Sequence, residues 1–546
     1  MGDLSRIRAL FARPIETLRD AGEDRQLPVT VTLLAAAIAA TVLSPLAWLL
    51  LRALAVPPGK AVGLLTSQST LEVLANTVFL VGAVTPAATA LGTLLAVLTV
   101  RTDLPHARLW TIALALPLVI PSYIGAFAYA SAFGPDGTLA QLLAPLGIES
   151  LPSIYGFEGA VLVLTLYIYP YVFLTTRAAL LSLDTTLVEA ARTLHHTPRE
   201  AFRTVTLPQI TPGIVAGALL VALYTLSDFG TPAIMHVDVF TRAIYVQYNA
   251  FARGSVALLS LQLLGVTAVI LAIESQVKGG NRSMYVGSAS SADRTVALGP
   301  WKWPALAICG AVVVLALAIP IGVLLSWLFT SSAGYGGTGS GFSWLYAWHS
   351  VKAAGVTALI SVLAAVPVAY LSGRYDSRLA TVLDRMTYVG YAVPGIVLGL
   401  SLVYLGVRYV PGLYQTLPLL IFAYVVRFLP QAVGSIRSSV QQVDSTLLEA
   451  ARTLGHSRST AFRTVTLPLI APGVAAGGAL VFLTTMRELP ATLLLQPPEY
   501  RTLVSYIWYV RDAGFYGRAA VPTLLLVAVS TASMGVILAR ERYDRG

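Results

Sequence analysis

The chain of 546 residues is short of charge: only 11% of it is Asp, Glu, Lys or Arg, where a soluble protein carries about 25%. With 56% hydrophobic residues and a mean hydropathy of +0.74, an ordinary soluble fold is excluded and a membrane protein is expected. Cysteine is almost absent. Cys309 stands alone in an apolar run, so there is no disulfide framework and no redox signature of a compartment. A phosphate loop of the form G-x-x-x-x-G-K-[ST] is missing; the nearest approach, "PPGKAV" at Pro57, lacks the rest of the cradle, so ATP hydrolysis by that route is excluded. No nucleophile, base or metal cluster recurs in the apolar runs, which makes a membrane enzyme the poorest reading. Residues 133–155 contain no Lys or Arg at all, as suits an external loop.

What is present in quantity is long apolar sequence. Runs such as "VTVTLLAAAIAATVLSPLAWLLLRAL" and "VPTLLLVAVSTASMGVILA" reach the roughly 20 residues that carry a helix across a ~30 Å hydrocarbon core. Backbone groups cannot be left unpaired there, and runs this continuous are helical. The first run is too long for a signal-peptide core and has no convincing cleavage site, so it reads as a retained helix. Twelve spans are predicted, near 29–52, 70–100, 109–133, 157–180, 211–231, 257–277, 303–329, 350–373, 386–406, 414–436, 471–490 and 520–539. The fold class is an all-α polytopic membrane protein. Most Lys and Arg fall in the segments that face the cytoplasm when both termini do, which sets the orientation. The net charge of +10 therefore reports topology and not nucleic-acid binding.

The chain is also repeated. "EAARTLHHTPREAFRTVTLPQITPG" at 189–213 and "EAARTLGHSRSTAFRTVTLPLIAPG" at 449–473 share 18 of 25 positions at an offset of 260. Pro170 and Pro430 keep that offset, while Arg101 and Arg374, and Pro121 and Pro394, stand at 273, so the first half carries an insertion between Pro121 and Pro170. Five regions follow: 1–69, a cytoplasmic N-terminus and a first extra helix; 70–277, the first repeat; 278–302, a Gly- and Ser-rich cytoplasmic linker expected to be mobile; 303–347, a second extra helix and external loop; and 348–540, the second repeat. Six helices per half keep both halves in one orientation, related by an axis along the membrane normal, with any pathway between them.

The best-kept part of the repeat is polar. Thr186 with Glu189, and Thr446 with Glu449, read as capping boxes that start a short helix. His195 or Gly455 closes it, and a second start follows at Thr197-Pro198-Arg199-Glu200 and at Ser457. Pro208 and Pro468 are expected to end that second helix. Glu189 and Glu449 can be simple caps and Ala190, Ala191, Ala450 and Ala451 simple packing positions. The apolar Leu194, Phe202 and Leu207, however, gain little in water and ask for a partner surface. Glycine takes a left-handed conformation freely and histidine only uncommonly, so the first turn is expected to bend differently from the second. Adjacent His195 and His196 at a helix end point apart, which argues against a metal site.

E-A-A-x-x-x-G followed by F and L-P resembles the EAA loop of the membrane subunits of type I ABC importers, and the resemblance covers essentially the whole chain as two fused permease halves. It implies that Glu189, Ala190, Ala191, Leu194, His195 and Phe202, with Glu449, Ala450, Ala451, Leu454, Gly455 and Phe462, form two coupling helices seated on a dimer of separate ATPase subunits. Those subunits would bind the ATP; the chain itself is expected to carry no cofactor and to be no enzyme alone. The family also implies an external or periplasmic substrate-binding protein, a multi-pass place in the cell membrane and alternating access.

One further pair keeps the offset of 260: Asp228 in "LSDFGTPAIM" and Glu488 in "MRELPATLLL". Asp228 is 16 residues beyond Pro212, about 24 Å at the helical rise, near the external end of the core. Ionisable groups at that depth face a cavity or a partner. Arg487 beside Glu488 offers an ion pair; the alternative is two carboxylates facing each other as an external gate for a cationic cargo, with Tyr167, Tyr169 and Tyr171 as nearby oxygens. Hard cations prefer such ligands, although tyrosines are also ordinary in interface belts. "SDFGTP" and "ELPATLLL" look like the iron(III) branch of these fused permeases, whose relatives carry thiamine, phosphonates or polyamines. The resemblance implies ferric iron as cargo; the residues themselves support a small, cationic solute. A self-powered transporter or channel, in which the repeated passage is only structural, is the rival from another class.

Overall fold

The computed structural model describes residues 27–134, 152–183, 197–250, 253–280, 296–330 and 341–543, with isolated positions at 137–147 and 190–195. Among the described residues the secondary structure is helical, apart from one isolated bridge between Thr102 and Val296. The long helices of the first half are α1 (Val29–Leu54), α2 (Gln68–Arg101), α3 (Ala107–Ala115), α4 (Ser122–Ala132), α5 (Phe157–Leu181), α6 (Leu207–Ser227), α7 (Gly230–Ile234), α8 (Phe240–Asn249) and α9 (Arg253–Gly280). The second half contributes α10 (Lys302–Val313), α11 (Ile319–Thr330), α12 (Trp344–Arg374), α13 (Arg378–Ala392), α14 (Gly395–Arg408), α15 (Leu417–Gln442), α16 (Ser445–Thr453), α17 (Leu467–Met486), α18 (Pro490–Leu495), α19 (Leu503–Asp512) and α20 (Ala520–Tyr543).

Nine described helices are long and apolar enough to cross a membrane, or eleven if each of two bent pairs is one span. The pairs are where the twelve predicted spans need correction. The expected straight spans 109–133 and 386–406 instead bend by 90° and 97°, at Pro121 and Pro394. Each proline sits extended, with φ −57°, ψ 136° and φ −56°, ψ 140°, ahead of a new helix start. Proline supplies no amide to continue the preceding turn, and the residue before it is pushed out of the α region. Large apolar side chains such as Leu33, Phe79 and Leu363 point outward, as lipid-facing residues do.

The chain condenses into two units that do not follow the sequence halves: one of 1–45, 354–391 and 424–485, the other of 46–353, 392–423 and 486–546. In the second of these, α2, α5 and α6 form the central bundle. They approach backbone to backbone through Gly92, Gly213 and Gly217, where a Cβ would collide with Tyr169 and Phe173, with Ala179 and Thr175, and with Thr175 and Val172. In the first, Gly473 and Gly477 do the same against Ser439 and Ala432 of α15. Small residues are the usual means of close helix contact in lipid. Gly217→Val is therefore expected to destabilise the fold by about 1–3 kcal/mol, the cost of overpacking. Gly265→Ala, with open space at its Cβ, serves as the control; thermal midpoints in detergent check both.

The extra helices cross to the other half of the sequence. Within one unit Val42 of α1 lies against Gly390 of α13. Within the other, Trp48 of α1 packs on Tyr409, ring centroids 4.8 Å apart, and the Arg52 guanidinium sits 5.5 Å from the Tyr404 ring. Conversely, the Tyr129 hydroxyl of α4 donates to the Leu315 carbonyl at 2.7 Å, and Phe127 packs on Trp327 of α11. The end of the linker is held rather than loose. The Val296 amide donates to the Arg101 carbonyl at 2.8 Å and the Leu298 amide to Asp103 Oδ1 at 2.8 Å; residues 281–295 lie outside the described ones.

Candidate functional site

The repeated passage starts differently from the expected Thr446/Glu449 box. In the second copy Asp444 is the cap: its Oδ1 accepts from the Thr446 amide at 2.9 Å, and that bond holds the Asp444 carboxyl below the usual carboxylate range. Thr186, Glu189 and His196 of the first copy lie outside the described residues. The second start follows expectation in both copies. Thr197 and Glu200 exchange bonds, with the Thr197 amide donating to Glu200 Oε2 at 2.8 Å and the Glu200 amide donating to Thr197 Oγ1 at 3.3 Å; Ser457 Oγ accepts from the Thr460 amide at 3.2 Å.

Between the two starts the chain turns on a left-handed residue, and here the expected asymmetry is overturned. Gly455 has φ +88°, and His195 has φ +64°, so the first turn bends with the same hand as the second despite its side chain. In the second copy the ladder ends in a Schellman motif, with the His456 amide on the Ala451 carbonyl at 3.1 Å and the Gly455 amide on the Arg452 carbonyl at 3.0 Å. The turn leaves Leu194 and Leu454 standing in solvent, 74% and 79% exposed. Glu449, Ala450, Gly455, Ala190 and His195 are exposed with them, while Ala191 and Ala451 are buried beneath. Phe202 and Phe462 are half-buried, the latter edge-on to Tyr370 at 5.3 Å.

Pro208 and Pro468 do not end the second helix. Residues Phe202–Thr206 and Phe462–Thr466 form a π turn in each copy, after which the helix runs on as α6 or α17. The wider turn absorbs the register break that a proline without an amide imposes. Each passage thereby continues, through one bulge, into a membrane helix.

At the far end of those helices lie the paired acids. Asp228 follows α6 and caps α7: its Oδ1 accepts from the Thr231 amide at 3.2 Å, its Oδ2 accepts from Thr231 Oγ1 at 3.1 Å and from Ser122 Oγ, and its carbonyl accepts from Thr241 Oγ1 at 2.7 Å. Glu488 follows α17 and caps α18 in the same manner, with Oε1 accepting from the Ala491 amide at 3.2 Å. Both acids thus re-start the chain after a broken membrane helix. One residue that the sequence did not mark, Tyr123, packs on Gly230 at the start of α7 and lies within electrostatic reach of both acids and of Arg487. Ser122 and Tyr123 directly follow Pro121, and that proline is the sequence signal that could have drawn attention to them. Of the expected oxygens, Tyr169 is already bound, donating to the Leu114 carbonyl at 2.7 Å. Among the described residues no group of three or more His, Cys, Asp or Glu is placed to hold a metal ion.

The chain is 32% identical over 511 residues to the Fe(3+)-transport system permease protein FbpB 2 of Haemophilus influenzae, covering 93% of this chain and 97% of that one. It is 25% identical over 498 residues to the ferric transport system permease protein FbpB of Actinobacillus pleuropneumoniae, covering 87% and 72%. The molybdenum transport system permease protein ModB of Escherichia coli matches over 224 residues at 29%, covering 97% of its own length but 37% of this chain, as a single repeat would. Residues 55–277 and 365–542 each match one domain, and the chain belongs to the family of binding-protein-dependent transport system inner membrane components, whose domain it carries twice.

Proposed function

We propose that the chain is the permease of a binding-protein-dependent importer of ferric iron, with both termini cytoplasmic, driven by a separate dimer of ATPase subunits and loaded by an external substrate-binding protein. The observation that carries the coupling role is the pair of exposed leucines, Leu194 and Leu454, each at a left-handed turn and joined through a π bulge to α6 or α17. Apolar side chains held out in water at a left-handed turn fit a cleft in a partner. Closure of the ATPase dimer would then move the two turns together, and the central helices would carry that movement to the acids at their other ends.

The cargo is supported by the named transport role of the relatives and by the carboxylates of Asp228 and Glu488 in a setting of hydroxyls, since hard cations take oxygen ligands. Purified permease with its ATPase and binding protein in liposomes is expected to import ferric iron when ATP is enclosed with the ATPase. Uptake of thiamine, a phosphonate, a polyamine or molybdate in place of iron would sink the cargo assignment. Uptake without any ATPase would sink the coupling assignment and favour a self-powered transporter.

A further inference from the structure

Tyr123 is 6% exposed, and its hydroxyl is shut away from solvent without a hydrogen-bond partner. A buried phenol left unsatisfied is a cost that a phenylalanine at the same place would avoid. Packing does not require the oxygen. What fixes the ring is Gly230, which has no room for a Cβ because Tyr123 occupies the space. That contact sets the ring beside the first turn of α7, the helix that Asp228 caps.

The surroundings of the hydroxyl are those of a binding point. Arg487, Tyr224, Glu488 and Asp228 are the ionisable groups whose fields reach it. Tyr224 Oη lies 3.3 Å from Ser122 Oγ, and Ser122 in turn donates to Asp228 Oδ2, so the polar atoms form a connected set with one unclaimed hydroxyl among them. The second half does not repeat it. At the offset of 273 the positions of Ser122 and Tyr123 are Gly395 and Ile396, without side-chain oxygen, while Asp228 is matched by Glu488. The first half therefore supplies the Ser122 and Tyr123 hydroxyls with one carboxylate, and the second half a carboxylate with Arg487 beside it.

We propose that the Tyr123 hydroxyl contacts the cargo and helps select it, acting with Asp228 and Glu488 as oxygen donors to a hard trivalent cation in passage. The inference rests on the ferric reading above. Few donors suit the task, because a passing ion must be bound firmly enough to enter and weakly enough to leave. Arg487 offsets one of the two carboxylate charges and keeps the set from retaining the ion.

Tyr123→Phe tests this, since it keeps the ring against Gly230 and removes only the oxygen. In liposomes containing the permease, its ATPase and ferric-loaded binding protein, the variant is expected to import ferric iron at least tenfold more slowly than the unaltered protein. Its thermal midpoint should be unchanged or higher, and its ATPase activity should still respond to the loaded binding protein. Uptake within threefold of the unaltered protein would overturn the proposal, as would lost uptake accompanied by a lowered midpoint, which marks a structural role. If the unaltered complex imports another solute and no ferric iron, the cargo reading itself has failed and this inference falls with it.

Discussion

Replacing Leu194 and Leu454 together by aspartate is expected to release the ATPase subunits and to stop transport, while the permease still inserts and folds. The two side chains are 74% and 79% exposed, so the folded chain loses almost no internal contact and its thermal midpoint should not move. Burying a leucine in a partner's cleft is worth about 1.5–3 kcal/mol. Losing two amounts to about 3–6 kcal/mol, roughly a hundredfold to ten-thousandfold in association at about 1.4 kcal/mol per decade. The carboxylates add a desolvation cost in the same direction. Co-purification of the ATPase with tagged permease reads the result directly. Because His195 and Gly455 turn the chain with the same hand, the two single variants should weaken association to a similar degree. Association unchanged in the double variant would remove the docking role.

Which parts of this arrangement were legible in the sequence follows from the range over which each is decided. The spans, the duplication, the second helix start at Thr197 and Ser457, and the closing turn at Gly455 rest on composition or on residues within a turn of one another. The bends at Pro121 and Pro394 were not legible as bends, because both arms are apolar and hydropathy counts residues without regard to direction. His195 shows a different limit: its intrinsic preference argued for a different turn, and the repeat around it, shared with Gly455, holds the left-handed conformation nonetheless. Pro208 and Pro468 look like stops by the rule for ideal α-helices, but a π turn, in which the Leu207 or Leu467 amide donates to the Phe202 or Phe462 carbonyl, carries the helix past the proline.

Contacts made at long range were hidden altogether. Nothing in the first apolar run announces that Trp48 packs on Tyr409, nor in the second extra helix that Leu315 receives the Tyr129 hydroxyl. For the paired acids, the offset located Asp228 and Glu488 but assigned them no neighbours. Their capping of α7 and α18 is decided by how each chain re-starts after its membrane helix ends.

The same blindness covered a buried ion pair whose loss should be the most damaging single change to the fold. Arg437 of α15 binds Asp384 Oδ2 on α13, and Ser372 Oγ of α12 donates to Asp384 Oδ1 at 3.2 Å, so three helices of one unit meet on a carboxylate that is 6% exposed. That unit also holds the second copy of the repeated passage. Removing one partner of a buried pair costs about 3–5 kcal/mol because the other charge is left uncompensated. For Arg437→Met the lower end, about 3 kcal/mol, is expected, since the arginine side chain is 32% exposed and water screens part of the interaction. The first half suggests the remedy. It keeps an arginine at the matching position, Arg177, but has Thr111 where the second half has Asp384, so a permease repeat folds without this acid. Asp384→Thr added to Arg437→Met should then recover most of the lost stability, because no charge is left buried. Thermal midpoints of the two single variants and the double, read as a cycle, measure the coupling. Strictly additive losses would mean that the two residues stabilise the unit independently, and the pair would have no part in joining α13 to α15.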